Sequence, residues 1–223
     1  LSFKAQKGAF SQGVHHVLKD VSLDLFEGET LGIIGRNGCG KTSILRMMAG
    51  IIAPTTGSVT RARNTTTALL SLGLGFRKDL TGRDNAVLSG MLQGLSRRDA
   101  ESHLEEIKVF SELGDSFDEP VKTYSSGMRS RLGFTTALIT NVDILLVDEV
   151  LSVGDAHFKH KAQAALMDRI TGKQTVVFVS HSDKQIKKLC DRAVWLNDAV
   201  VAAEGGTRSV VRKYRRYIAG LNR

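Results

Sequence analysis

The chain has 223 residues, 42% hydrophobic and 24% charged, enough to bury the core of one domain or of one domain with a subdomain. No apolar run approaches the ~20 residues of a membrane span and no basic-then-apolar secretion signal opens the sequence, so the composition predicts a soluble chain. Two cysteines, Cys39 and Cys190, exclude a disulfide framework and suggest a reducing compartment; the net charge of +8 fits solubility or an anionic membrane face better than nucleic acid, because the arginines are not interleaved with aromatics.

From Phe3 to Glu29 the pattern predicts strands: Val17, Val21, Leu23 and Leu25 alternate roughly with polar residues, and Glu27-Gly28-Glu29 marks a turn. Phe10 lies upstream, either a ring to stack on an adenine or an ordinary core or loop phenylalanine. His15 and His16 precede an apolar strand and read as strand residues.

Leu31 to Ile34 is a short apolar strand, Ser43 to Ala49 a helix closed by Gly50, and between them GRNGCGKT, Gly35 to Thr42, fits the phosphate-loop pattern G-x-x-x-x-G-K-[ST]. Gly35, Gly38 and Gly40 let the backbone curl so that successive N–H groups, including those of Asn37, Cys39 and Ser43, line one concavity at the positive end of the helix. A polyphosphate binds in such a place. Lys41 supplies a point charge to its outer phosphates, and the Thr42 hydroxyl takes one position on a magnesium ion. Cys39 sits at a helix N-terminus, where a thiol can acquire a lowered pKa, or it is only a small loop residue.

Pro54 to Ser58 is a turn leading to strands around Thr65 to Leu70. The apolar stretch Leu72 to Phe76 precedes a charged loop. Ser96 then opens a helix with Asp99 completing a capping box, Leu104, Ile107, Phe110 and Leu113 on one face, and Gly114 at its end. The middle of the chain is therefore a helical insertion before the next strand, Ile144 to Val147. That strand ends in Asp148 and Glu149, two acids at the carboxyl end of a parallel strand, where such sheets bind ligands. Asp148 suits a magnesium ion held through its water shell and Glu149 an attacking water to be oriented or polarised. Thr175 to Val179 and Ala193 to Leu196 are further strands. In the last segment Val211, Tyr214 and Ile218 oppose Arg208, Arg212, Lys213, Arg215 and Arg216, which predicts an amphipathic helix, either packed on its own core with a solvated face or facing a membrane.

Together these motifs resemble the nucleotide-binding subunit of ABC transporters from about Val17 to Val200. TYSSGM, Thr123 to Met128, is similar to the signature motif, ILLVDE to Walker B, SVGD, Ser152 to Asp155, to the D-loop, and SHS around His181 to the H-loop. Within the family, LGLGFRKDLTGRDN, YSSGMRSRLGF and VDEVLSVGDAHF look most like exporters of lipid-linked polysaccharide such as O-antigen, capsule or teichoic acid. The resemblance implies an α/β phosphate-loop NTPase (RecA-like) with a parallel-sheet core, an N-terminal antiparallel β subdomain and an inserted α-helical subdomain. All of 1–223 would then be one nucleotide-binding domain, with 1–75 and 140–223 as its core and 76–139 as the helical subdomain.

It also implies that ATP and Mg2+ are the cofactors and that His181 senses the γ-phosphate. Ser125, Ser126 and Gly127 form a second anion site at a helix N-terminus, which family architecture places against the ATP of a head-to-tail homodimer partner. A separate membrane-spanning permease would be driven from the cytoplasmic face of the inner membrane, to which this chain is peripheral, with no nucleic acid bound and no polysaccharide-binding domain in this chain. An alternative from another class is a soluble ABC-type ATPase acting on nucleic acid or ribosomes, which usually has two cassettes or a long coiled-coil insertion. One departure from the family stands out: the glutamine expected before the helical subdomain falls near Leu72, and leucine cannot ligate a metal.

Overall fold

The computed structural model describes residues 2–4, 14–70, 75–140, 142–148, 154–172 and 174–221. The chain forms two compact units, 1–63 with 173–223, and 64–172. In the first, β1 (Ser2–Lys4) pairs antiparallel with β2 (Val14–His16). The main sheet of this unit is built around β3 (Thr30–Gly35), all six of whose residues are buried. It needs that apolar run because it has a parallel neighbour on each side, β6 (Thr175–Val179) and β7 (Arg192–Asn197). The strand β8 (Val200–Gly206) closes this side antiparallel to β7. The turn between them holds Asp198 and Ala199 at φ 46 and 69, as a two-residue type I′ hairpin requires.

Three helices complete the unit: α1 (Lys41–Met48), α7 (Asp183–Leu189) and α8 (Thr207–Leu221). The terminal helix buries Val210 and Val211 and lays Tyr214 and Tyr217 against Trp195, with ring centroids 5.9 and 5.1 Å away. The expected amphipathic helix is present, and its inner face is packed on β7.

In the second unit β4 (Thr67–Leu70) runs parallel to β5 (Ile144–Asp148). Around them lie α2 (Gly82–Leu92), α3 (Arg97–Ser102), α4 (Leu104–Ser111), α5 (Ser126–Ile139) and α6 (Ala156–Thr171). Ser96 accepts from the Asp99 N–H, as the capping box predicts, but the helix it starts is interrupted at His103, so α3 and α4 replace one continuous helix. Leu104, Ile107 and Leu113 still reach a common core with Phe117, Val121 and Leu132. Among the described residues no helix is long and apolar enough to cross a membrane.

Candidate functional site

The phosphate loop leaves β3 at Gly35 and enters α1 at Lys41. A Cβ at Gly35 would lie 2.4 Å from the Leu196 carbonyl oxygen and 2.7 Å from the Cys39 sulfur, so β7 closes over the start of the loop and admits only glycine. At Gly40 the backbone has φ +101, and a Cβ would meet Leu18 at 2.7 Å and the Val17 carbonyl oxygen at 2.9 Å. Gly40 is also the N-cap of α1 and has no side chain to cap it. The first helical N–H groups cannot find carbonyls within their own helix, so this end keeps its positive dipole for a ligand.

Lys41 is nearly buried, 8% exposed, and its Nζ donates to the carbonyl oxygens of Gly35 and Arg36, both at 2.8 Å. The lysine thus ties the loop's two ends together and holds its charge inside the curl. Arg36, Asn37, Gly38 and Thr42 are exposed along the rim, with Cys39 and Ser43 half-buried. Cys39 does not become an activated thiol: burial raises its pKa, and the neighbouring Lys41 charge only partly opposes that. It acts as a loop residue packed against Gly35.

His181 follows β6. In the parallel register Ile33 faces Val179, so two residues further along Gly35 and His181 leave their neighbouring strands at the same level. Ser180 fixes that exit: its N–H donates to the Ile33 carbonyl, and its hydroxyl donates to Gln185 Oε1 at 2.8 Å and accepts from the Ser182 N–H at 3.0 Å. Ser182 in turn caps α7. His181 is exposed between these anchored residues, on the carboxyl side of the sheet. Ser180, which the motif reading passed over as a companion of the histidine, is fully buried and positions the turn.

The second unit holds the other motif residues. Ser125 is the N-cap of α5 and its hydroxyl accepts from the Met128 N–H at 3.1 Å, with Ser126 and Gly127 in the first turn. This places the signature at a helix N-terminus, as its sequence suggests, with the helix starting at Ser126. Asp148 ends β5, half-buried. Asp155 caps α6, accepting from the Phe158 N–H at 3.0 Å, and forms an ion pair with Arg131 of α5. That bond from Phe158 and the Arg131 charge hold the Asp155 carboxyl below its usual range. Arg131 also approaches Glu112 at 3.6 Å and lies over the Phe158 ring at 5.1 Å, so one arginine joins the signature helix to the start of α6. Its partners are far along the chain, and no spacing rule reveals them. Glu112 is held below the usual carboxylate range first by Lys161, which donates to it at 2.7 Å.

Phe10, Glu149 and the loop at Leu72 lie outside the described residues. Among the described residues no three acidic, histidine or cysteine side chains cluster as a metal site. The Thr42 hydroxyl in the first unit and the Asp148 carboxylate in the second are each hard oxygen donors of the kind that magnesium takes.

A family profile described as ABC transporter matches residues 18–152. The chain is 42% identical over 203 residues, 91% of its length, to the teichoic acids export ATP-binding protein TagH of Shouchella clausii, and covers 56% of that protein. It is 41% identical over 202 residues, again 91% of its length, to the O-antigen export system ATP-binding protein RfbB of Myxococcus xanthus, and covers 46% of it. The chain therefore spans about half the length of these two relatives. Its fold matches the ATP-binding cassette MJ0796, solved as a dimer in a post-hydrolysis state bound to ADP and Pi, with a TM-score of 0.71 at 22% identity over 93% of this chain and 95% of that one.

Proposed function

Because the chain belongs to the ABC transporter family, we propose that it is the ATP-hydrolysing part of an exporter of lipid-linked polysaccharide. The observation that carries the ATP reading is the glycine loop closed by Lys41 in front of an uncapped helix. In this reading the backbone from Gly35 to Ser43 cradles the phosphates, Lys41 neutralises the outer ones, and His181 contacts the γ-phosphate from the adjacent strand. Thr42 and Asp148 hold magnesium, which when bound spreads phosphate charge; Glu149 orients the attacking water. Phe10 stacks on the adenine. Ser125, Ser126 and Gly127 face the nucleotide of a second copy, so the working unit is a homodimer with ATP between its halves. The nucleotide-binding core is assigned to 1–75 and 140–223, and the helical subdomain to 76–139.

The polysaccharide reading draws on the teichoic acid and O-antigen exporters among its relatives. It places the chain at the cytoplasmic face of the plasma membrane, moving a separate membrane-spanning subunit.

The test is ligand-induced stabilisation. ATP with magnesium at about 100 times Kd raises native stability by ~2.7 kcal/mol if it binds only the folded chain. Lys41→Ala removes two loop hydrogen bonds and lowers the melting temperature without ligand, so the quantity to compare is the shift on adding ATP. The shift is expected to disappear in the variant; a parental shift overturns the assignment of this loop.

A further inference from the structure

Basic residues crowd one surface of the first unit. α8 carries Arg208, Arg212, Lys213, Arg215 and Arg216 and no acid, and α7 carries Lys184, Lys187 and Lys188 with Asp183 as its one acid. Between the two helices lies a groove of about 630 Å³ lined by Lys187, Arg208, Ser209, Arg212, Arg215 and Arg216, all of them exposed. Asp183 answers two of these cations: it forms an ion pair with Arg215 and feels the charge of Lys187. Arg208, Arg212 and Arg216 form no ion pair among the described residues. These three follow at intervals of four, so they lie along one face of α8 as like charges, which weakens a helix until something anionic lies across them. The apolar side of α8 is a different one. Val210 and Val211 are buried on it, Tyr214 and Tyr217 meet Trp195, and it runs on past them to the exposed Leu221.

We propose that the α7–α8 groove is the docking surface for an acidic α-helix of a protein partner. The spacing of the arginines names the occupant. At the helical rise Arg208, Arg212 and Arg216 recur every ~6 Å, and a second helix with carboxylates four residues apart repeats its charges at the same interval, so three pairs can form in register. Guanidinium groups take carboxylates bidentately, and arginines outnumber lysines in the lining. An acidic helix meets complementary charge from both walls, Lys187 on α7 and the arginines on α8. Two other anions fit less well. A small phosphate ester calls for a site that encloses it, and the walls of this groove are exposed side chains. A nucleic acid strand calls for aromatic rings among the cations, and no aromatic residue lines the groove. The docking surface does not rest on the ATP reading, because no phosphate-loop residue lines it.

The experiment is fluorescence anisotropy of two labelled alanine-based peptides of equal helical content, each titrated with the purified chain. One carries three glutamates at successive fourth positions; the other has the same composition with its glutamates on three different faces. The first is expected to bind roughly tenfold more tightly, because it makes three pairs where the other makes one and each exposed pair is worth about threefold. The triple variant Arg208→Gln, Arg212→Gln, Arg216→Gln is expected to bind the first peptide roughly thirtyfold more weakly than the parent does, by the same reckoning. These arginines are exposed, and an unchanged Trp195 emission spectrum shows that the variant has folded. Equal binding of the two peptides, which needs no variant to observe, overturns the proposal, and so does parental binding by the triple variant. Displacement of the first peptide by millimolar inorganic phosphate at matched ionic strength also overturns it, by marking a phosphate site. So does a single-stranded oligonucleotide that competes with the peptide and binds more tightly, which would make the groove a nucleic-acid surface.

Discussion

Burial acts on single residues here mainly through protons. Cys190, 9% exposed, has its thiol pKa pushed from 9.0 to about 12 by burial, because the thiolate would lose its hydration. The unfolded chain releases this proton near pH 9, while the folded chain keeps it until about pH 12. The contribution to stability is therefore complete below the unfolded pKa and is lost as pH rises through the folded one, at up to ~1.4 kcal/mol per pH unit. Tyr124, pushed from 10.0 to about 12 by burial, adds to the same alkaline loss. In Cys190→Ala, chemical denaturation between pH 9 and 12 is expected to give a shallower fall of stability, whatever constant cost the small cavity adds. An unchanged slope would mean that the thiol does not control it. At this scale the motif residues were largely legible: glycines, lysine and threonine at fixed spacing announce the loop. The close approach of Leu196 that forces glycine at position 35 was not, because it comes from β7, more than a hundred residues away.

Elements were legible where both neighbours of a segment were implied by its own pattern, and less so where a partner decides. Val21, Leu23 and Leu25 do alternate, half-buried, with exposed Ser22, Asp24 and Phe26, yet among the described residues this stretch joins no strand ladder. Asp20 at φ 45 interrupts the extended backbone, and the Lys19 N–H makes a single bond to the Ala199 carbonyl at 2.8 Å. The hairpin strand β8 has no signal in the sequence because its turn uses Asp-Ala in place of the glycine that usually marks one. The charged stretch after Phe76 has the composition of a loop yet contains α2, whose cap, Thr81, accepts from the Asp84 N–H. What organises the approach to that helix is Asn85, fully buried: its Oδ1 accepts from the Arg77 N–H at 2.7 Å, and its Nδ2 donates to the carbonyls of Arg77, Leu80 and Thr81. Asn85→Ala leaves these backbone groups unpaired in a dry place, so a loss of about 2 kcal/mol is expected in denaturant melts. Proteolysis should then cut between 77 and 81 before the rest of the chain opens. A variant that melts like the parent would show that water replaces the amide.

On the scale of the whole molecule, the phosphate loop and the Ser125 cap belong to separate units of one chain, and the dimer reading asks each to serve the nucleotide with the other chain's counterpart. Ser125→Arg is expected to abolish dimer-dependent hydrolysis by crowding the partner's γ-phosphate, at a cost of ~1 kcal/mol for the lost cap, while its own phosphate loop still takes up ATP. Lys41→Ala has the reverse defect. In a heterodimer of the two, one composite site carries both defects and the other joins an intact Lys41 to an intact Ser125. If one complete site suffices for hydrolysis, mixing the inactive variants restores part of the parental ATPase rate. If both sites must act together, the mixture stays inactive but still dimerises on ATP, which sedimentation velocity reads directly. A mixture that does neither counts against shared sites, provided that each variant alone melts cooperatively. Full parental ATPase from chains held monomeric by dilution would end the shared-site reading, since activity would then need no second copy.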